Sequence, residues 1–287
     1  MNKSMSGWAN GLLGVVIFSG SLPATRVAVM GFDPLFLTAA RASIAGILAI
    51  CLLAAFHERR PGRADLPALA IVSLGVVVGF PLLTALALEH VTSAHSIVFI
   101  GLLPLATAVF GVLRDGERPH PAFWLFSILG SALVVGFAAS QGITASPKGD
   151  LLMLAAIVLC GLGYAEGAAL SRRIGGWQVI SWALVLSLPI MLVLTLATMP
   201  ASFENLHMPA WVGLAYVSVF SMLIGFVFWY RGLAQGGTVA VGQLQLLQPF
   251  FGFVLAAALL REPVSNSMLA VTLAVILCVA GAKKFAR

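Results

Sequence analysis

Apolar runs of about twenty residues recur from one end of the chain to the other, separated by short polar breaks. They lie near 7–25, 34–56, 66–88, 93–113, 122–139, 150–170, 178–198, 210–232, 238–260 and 266–282. Each is long enough to cross a hydrocarbon core as a helix. Barrel strands would instead alternate apolar and polar positions over about ten residues. These runs are continuous, so the pattern predicts ten transmembrane helices. The breaks carry turn formers: Phe32-Asp33-Pro34, Arg60-Pro61-Gly62, Pro119-His120-Pro121, Pro147-Lys148-Gly149 and Gly236-Gly237. Ten spans use most of the 287 positions and leave no room for a separate soluble domain.

Composition agrees with this pattern. Hydrophobic residues make up 60% of the chain, charged residues 9%, and the mean hydropathy is +1.04. A soluble domain carries roughly a quarter charged residues, so this chain could not cover a water-facing surface. The net charge of +6 does not imply a nucleic-acid partner, because the basic residues sit in loops and follow the positive-inside rule. With the N-terminus in the cytoplasm, inside segments hold Lys3, Arg59, Arg60, Arg63, Arg114, Arg118, Arg172, Arg173, Arg231, Lys283, Lys284 and Arg287. Outside segments hold Arg26, Lys148 and Arg261, and Arg41 falls within a span. Both termini are therefore expected in the cytoplasm of a multi-pass protein of a bacterial-type inner (plasma) membrane. Lys3, the run to Phe18 and the small residues near Ala24 also fit a secretory signal, but an even span count favours a first helix. Cys51, Cys160 and Cys278 are too dispersed for a disulfide framework or a zinc site; neither a metal nor a cofactor is expected.

The strongest organisational signal is an internal repeat. Pro104, Glu117 and Gly136 recur 145 positions later as Pro249, Glu262 and Gly281, and Ser93 answers Thr238 at the same spacing. This divides the chain into a first unit over 1–141 and a second over 150–287, each of five spans. Five is odd, so the second unit is expected to be inserted inverted, an architecture that places a transport site at the repeat interface.

These residues carry a family resemblance. The blocks Gly101-Leu102-Leu103-Pro104 to Glu117-Arg118-Pro119 and Leu246-Leu247-Gln248-Pro249 to Arg261-Glu262-Pro263 resemble the drug/metabolite transporter superfamily, in its ten-helix EamA-type branch. Within that branch the chain looks most like the YddG-type amino-acid exporters. The resemblance implies a monomeric bundle in membrane lipid, with a central cavity lined by both halves and an amino acid or related small metabolite as substrate.

Candidate site residues follow from polarity at depth. Pro104 and Pro249 fall mid-span, where each removes a backbone donor, and read either as paired hinges or as static kinks. Gln245 and Gln248 share a face of span 9 and either contact an uncharged or zwitterionic solute or bond one helix to another; Gln243 points elsewhere, as helix-to-helix glue. His95 and Phe99 read as the outer mouth of a cavity or His95 as an interfacial histidine, and Phe80, Tyr164 and Trp182 as rings that stack on a bulky ligand or pack in the core. Trp8, Trp229 and Tyr230 read as interfacial anchors. Arg41 lies about two turns inside span 2 and needs a partner. Either Glu89 pairs with it, or it binds a substrate carboxylate. Glu166 reads as a proton-exchanging group or as an interfacial carboxylate. Glycine pairs Gly7/Gly11, Gly75/Gly79 and Gly163/Gly167 have the spacing of close helix contacts.

An integral membrane enzyme would need clustered His, Asp, Glu or Cys; His57, His90, His95, His120 and His207 show no such spacing. The expected function is export of neutral, bulky or aromatic amino acids by alternating access. Proton-coupled export of cationic drugs or amines is the alternative.

Overall fold

The computed structural model describes residues 3–91, 99–140, 146–203, 206–252, 255 and 266–286. Ser93, His95, Arg261, Glu262 and Pro263 lie outside them. The first apolar stretch is α1 (Lys3–Ser19) followed by α2 (Ser21–Val29), and α3 (Pro34–Ala55) is the second. A third stretch runs through α4 (Leu66–Val72), a π-wound segment (Ser73–Gly79) and α5 (Phe80–Ala87). Then come α6 (Leu103–Asp115), α7 (Pro121–Ser140), α8 (Pro147–Ile174) and α9 (Gly176–Ala197). The eighth stretch is α10 (Met208–Tyr216), a second π-wound segment (Val217–Ile224) and α11 (Gly225–Gly236). α12 (Thr238–Gly242) passes into a 3₁₀ turn (Gln243–Leu247), and α13 (Asn266–Phe285) is the last helix described. Among the described residues, six helical stretches are long and apolar enough to cross a membrane, and Leu103–Arg114 and Pro121–Phe137 are shorter apolar helices.

Local chemistry sets the ends of these helices. Asp33 accepts the Leu35 and Phe36 N–H groups at 2.8 and 3.1 Å while Pro34 fills the first helical position, so α3 starts sharply. Ser146 caps α8 by accepting the Gly149 N–H. Gly175 and Gly237, with φ of 96° and 93°, close the tight connections α8–α9 and α11–α12.

Two departures from α winding occur at equivalent places. Phe80 donates its N–H to the Gly75 carbonyl, five residues back, and Gly225 does the same to Phe220. Both donors and both acceptors are 145 positions apart, the spacing of the sequence repeat. π-bulges of this kind concentrate at functional sites. The two repeated prolines also mark breaks. Pro249 has no N–H to offer the Gln245 carbonyl, and Gln248 donates to that carbonyl instead, as a 3₁₀ turn. Before Pro104, Leu102 donates three residues back to Phe99 at 2.8 Å.

Packing crosses between the two halves of the chain. α1 lies on α11, α3 on α9, and α8 on the α4–α5 stretch. Glycine makes the first contact possible: a Cβ on Gly7 would sit 2.5 Å from Gly236 N, and one on Gly232 2.5 Å from Gly11 N. Gly75 meets Gly163 in the same way. All three glycine pairs read from the sequence lie at such approaches, with Gly167 covered by the Tyr230 ring. Outside this core, Leu74, Leu125, Ile190, Val193 and Leu196 are more than 60% exposed, which suits contact with lipid chains. Lys283 lies over the Trp8 ring, which ties the end of α13 to the start of α1.

Candidate functional site

A cavity of about 60 Å³ lies between the halves. That is well below the several hundred Å³ of a typical ligand pocket. Much of its lining lies in or beside the irregular segments of the chain. Phe18, Ser21 and Thr25 flank the α1–α2 break, and Val76, Phe80, Pro81 and Thr84 come from the third stretch. Ile100 and Leu103 precede Pro104; Ser221 and Phe226 come from the eighth stretch; Gln248 precedes Pro249. Arg41 and Tyr164 complete it from α3 and α8. Three lining pairs, Val76 and Ser221, Pro81 and Phe226, Leu103 and Gln248, are 145 positions apart.

The first helix breaks at Gly20, three residues before Pro23, and its carbonyls find side-chain donors. Tyr216 donates to the Ile17 carbonyl at 2.7 Å and the Gln248 amide approaches the Phe18 carbonyl at 3.5 Å. This is how irregular backbone is tolerated at membrane depth, lining a cavity rather than facing lipid.

The polar part of the cavity is rich in donors. Arg41 is 8% exposed and donates from Nη2 to Ser221 Oγ at 3.3 Å; its Nε has no partner. Ser21 donates to the same Ser221 oxygen at 2.8 Å. Thr84 Oγ1 is buried without a partner. The rest is aromatic and aliphatic. Phe18 and Phe226 have ring centroids 4.9 Å apart, Tyr164 lies 6.0 Å from Phe226, and Trp229 backs Tyr164 at 5.4 Å.

The structure brings Phe80, Tyr164, Gln248 and Arg41 to this cavity and leaves other sequence candidates elsewhere. Glu89 is exposed beyond α5 and makes no ion pair with Arg41; a serine from the opposite half reaches the guanidinium instead. Gln245 is 1% exposed with both amide atoms unpartnered. A three-residue step along a 3₁₀ turn rises about 6 Å, so Gln245 lies one turn beyond the cavity. Gln243 is equally sealed and bonds to no helix, so it is not glue. Trp182 and Phe99 pack on the main core without lining the cavity, although Phe99 adjoins Ile100. His95 lies outside the described residues. Pro104 and Pro249 follow breaks in winding rather than interrupting long helices. Trp229 and Tyr230 are fully buried, not interfacial, because the eighth stretch extends to Gly236 and carries them into the glycine-lined seam. Sequence reading missed Ser21, Thr25, Thr84 and Ser221; hydroxyls beside Pro23, Pro81 and the π segments were the available signal.

The basic end of the bundle is braced by ion pairs. Glu166 is buried and paired with Arg114, and Asp65 pairs with Arg173 at 2.5 Å. Glu58 accepts from Gln178 at 3.0 Å. A groove of about 570 Å³ opens nearby, lined by Arg172, Trp177, Arg231 and Gln235 among others.

A multi-pass apolar bundle with a small central site, lined by two repeated halves, is the architecture of a membrane transporter. Comparison with known proteins gives the family. The chain matches the EamA-like transporter family over residues 5–138 and again over 147–282; it belongs to that family, within the drug/metabolite transporter superfamily. It is 67% identical to the uncharacterized transporter YdeK of Bacillus subtilis (strain 168) over the whole of both chains. It is 25% identical over 266 residues to a probable terminal-alkyne amino-acid exporter of Streptantibioticus cattleyicolor, covering 91% of this chain and 88% of that one. A solved crystal structure aligns with a TM-score of 0.82 over 99% of this chain and 98% of its own, at 20% identity, and shares the fold. The family and relatives are transporters, which points away from an enzyme.

Proposed function

We propose that this chain exports neutral, bulky or aromatic amino acids and related small metabolites by alternating access, as a monomer in a bacterial-type inner (plasma) membrane. The observation that carries this reading is the central cavity. Its aromatic walls suit a bulky side chain, its polar corner a charged head group, and equivalent positions of both halves contribute to it. A relative named as a probable amino-acid exporter supports the substrate class. The two five-helix units, 1–141 and 150–287, are inverted with respect to each other, with both termini cytoplasmic. Pro104 and Pro249, with the two π segments, are the places where each half bends to open the cavity to one side.

Among the described lining residues the charged side chain is Arg41, so a cationic drug or amine would meet like charge there. The test is flux of labelled phenylalanine, tryptophan, threonine and a diamine into liposomes holding purified protein, with and without a pH gradient. Saturable, gradient-independent flux of the aromatic amino acids, lowered in Gln248→Ala, supports the reading. Proton-driven flux of the diamine alone refutes it.

A further inference from the structure

Arg41 is a charged side chain held 8% exposed within the bundle. A guanidinium carries five N–H donors and no acceptor, and an arginine inside a membrane is ordinarily met by an acid or by carbonyls. Here a single hydrogen bond, to Ser221 Oγ, reaches it, and Nε is sealed without a partner. That serine adds to the imbalance. Its oxygen accepts from both Arg41 and Ser21, which leaves its own proton to donate. Thr84 presents another unmatched hydroxyl at the cavity.

Neighbouring hydroxyls show that this arrangement is local. Ser19, Thr107 and Ser218 all donate to the carbonyl four residues back in their own helices, at 2.6 to 2.9 Å, the usual resting place for a hydroxyl in an apolar helix. Thr84 and Ser221 do not. Among its described lining residues the cavity thus gathers guanidinium and hydroxyl donors and holds no anion to match the arginine, in a place where an unpaired charge is expensive. The group that completes it is an anion with two acceptor oxygens, and a carboxylate fits the planar fork of arginine.

The other half of an amino acid has no such counterpart. The lining groups that could face an ammonium are the Gln248 amide oxygen, the Tyr164 hydroxyl and the faces of Phe18, Phe80 and Phe226. All are neutral, and rings tolerate a cation without demanding one.

We infer that Arg41, with the Ser221 and Thr84 hydroxyls, forms a carboxylate-binding subsite, and that the solute class is apolar monocarboxylates, of which bulky amino acids are one member. This rests on the transport reading and narrows it: the carboxylate is required, and the α-ammonium is accepted but dispensable.

The experiment compares phenylalanine, phenylpropionate, phenylalaninamide and phenethylamine on purified protein, by ligand-induced thermal stabilisation in detergent and by flux in proteoliposomes. Phenylalanine and phenylpropionate are expected to stabilise the wild type and to compete for flux; the amide and the amine are not. Arg41→Gln is expected to raise the half-saturating carboxylate concentration about 10- to 100-fold, the range for a lost charged hydrogen bond, with Arg41→Lys between. Equal binding of phenylalaninamide and phenylalanine overturns the subsite, and needs no variant to be seen. So does wild-type affinity for phenylpropionate in a folded Arg41→Gln protein. Carboxylate binding without flux of any solute leaves the subsite standing and removes the transport reading; flux of phenylalanine and its amide alike does the reverse.

Discussion

Glu117 caps the helix that begins at Thr238. Its Oε1 accepts the Thr238 N–H at 2.7 Å and its Oε2 the Val239 N–H at 3.0 Å. A carboxylate in the loop after α6 thereby satisfies two orphan donors at the start of α12, and its charge opposes the positive end of that helix. The contact joins the two halves of the chain. Glu117→Gln keeps the size and removes the charge. It is expected to lower stability by about 1–2 kcal/mol, seen as an earlier thermal unfolding midpoint in detergent. An unchanged midpoint would mean that other contacts hold this helix end.

The glycine seam predicts a contrast between positions of the same residue type. A Cβ on Gly232 collides with the α1 backbone, whereas one on Gly136 meets nothing within 4 Å. Gly232→Ala must push two helices apart, at a cost of about 1–3 kcal/mol. Gly136→Ala should instead gain about 0.5–1 kcal/mol from reduced backbone freedom in the unfolded chain. Gly281, the repeat counterpart of Gly136, has the Phe126 ring 2.5 Å from its virtual Cβ, and Gly281→Ala is expected to destabilise. Parallel thermal scans of the three variants test the packing directly; equal shifts would contradict it.

Arg41 should show a conflict between stability and function. Replacing an unpaired buried charge with a flexible apolar side chain is often neutral or stabilising. Arg41→Met is therefore expected to unfold at or above the wild-type temperature while losing carboxylate flux. A lower midpoint would identify Arg41 as a structural residue.

The class of fold was legible in the sequence because bilayer thickness imposes run length directly. The repeat reading rests on Pro104, Glu117, Gly136 and Ser93, each answered 145 positions later. The site was read less well, for a physical reason. Polarity within a span shows that a side chain needs a partner, but not which neighbour supplies it. Glu89 has a compatible depth along its helix, yet Ser221 reaches Arg41, because contacts cross between distant parts of the chain. Gln245 and Gln248 differ by one turn, which periodicity cannot convert into depth relative to a cavity. Trp229 and Tyr230 resembled interfacial anchors only while the eighth stretch was drawn too short.

Gln243 offers the sharpest test that the described conformation is one of several. Its amide is fully buried, and neither the nitrogen nor the oxygen has a partner. Leaving such groups unmatched costs about 1–3 kcal/mol each, and leucine would fill a similar space without that cost. Gln243→Leu is expected to raise the unfolding temperature. If the amide finds partners in another conformation of the cycle, the same variant favours the described one and slows flux of every solute, without altering their order of preference. This separates it from Gln248→Ala, which should weaken binding of the solute itself. Increased stability with unimpaired flux would show that Gln243 is unpartnered throughout the cycle; decreased stability would contradict an unpartnered amide.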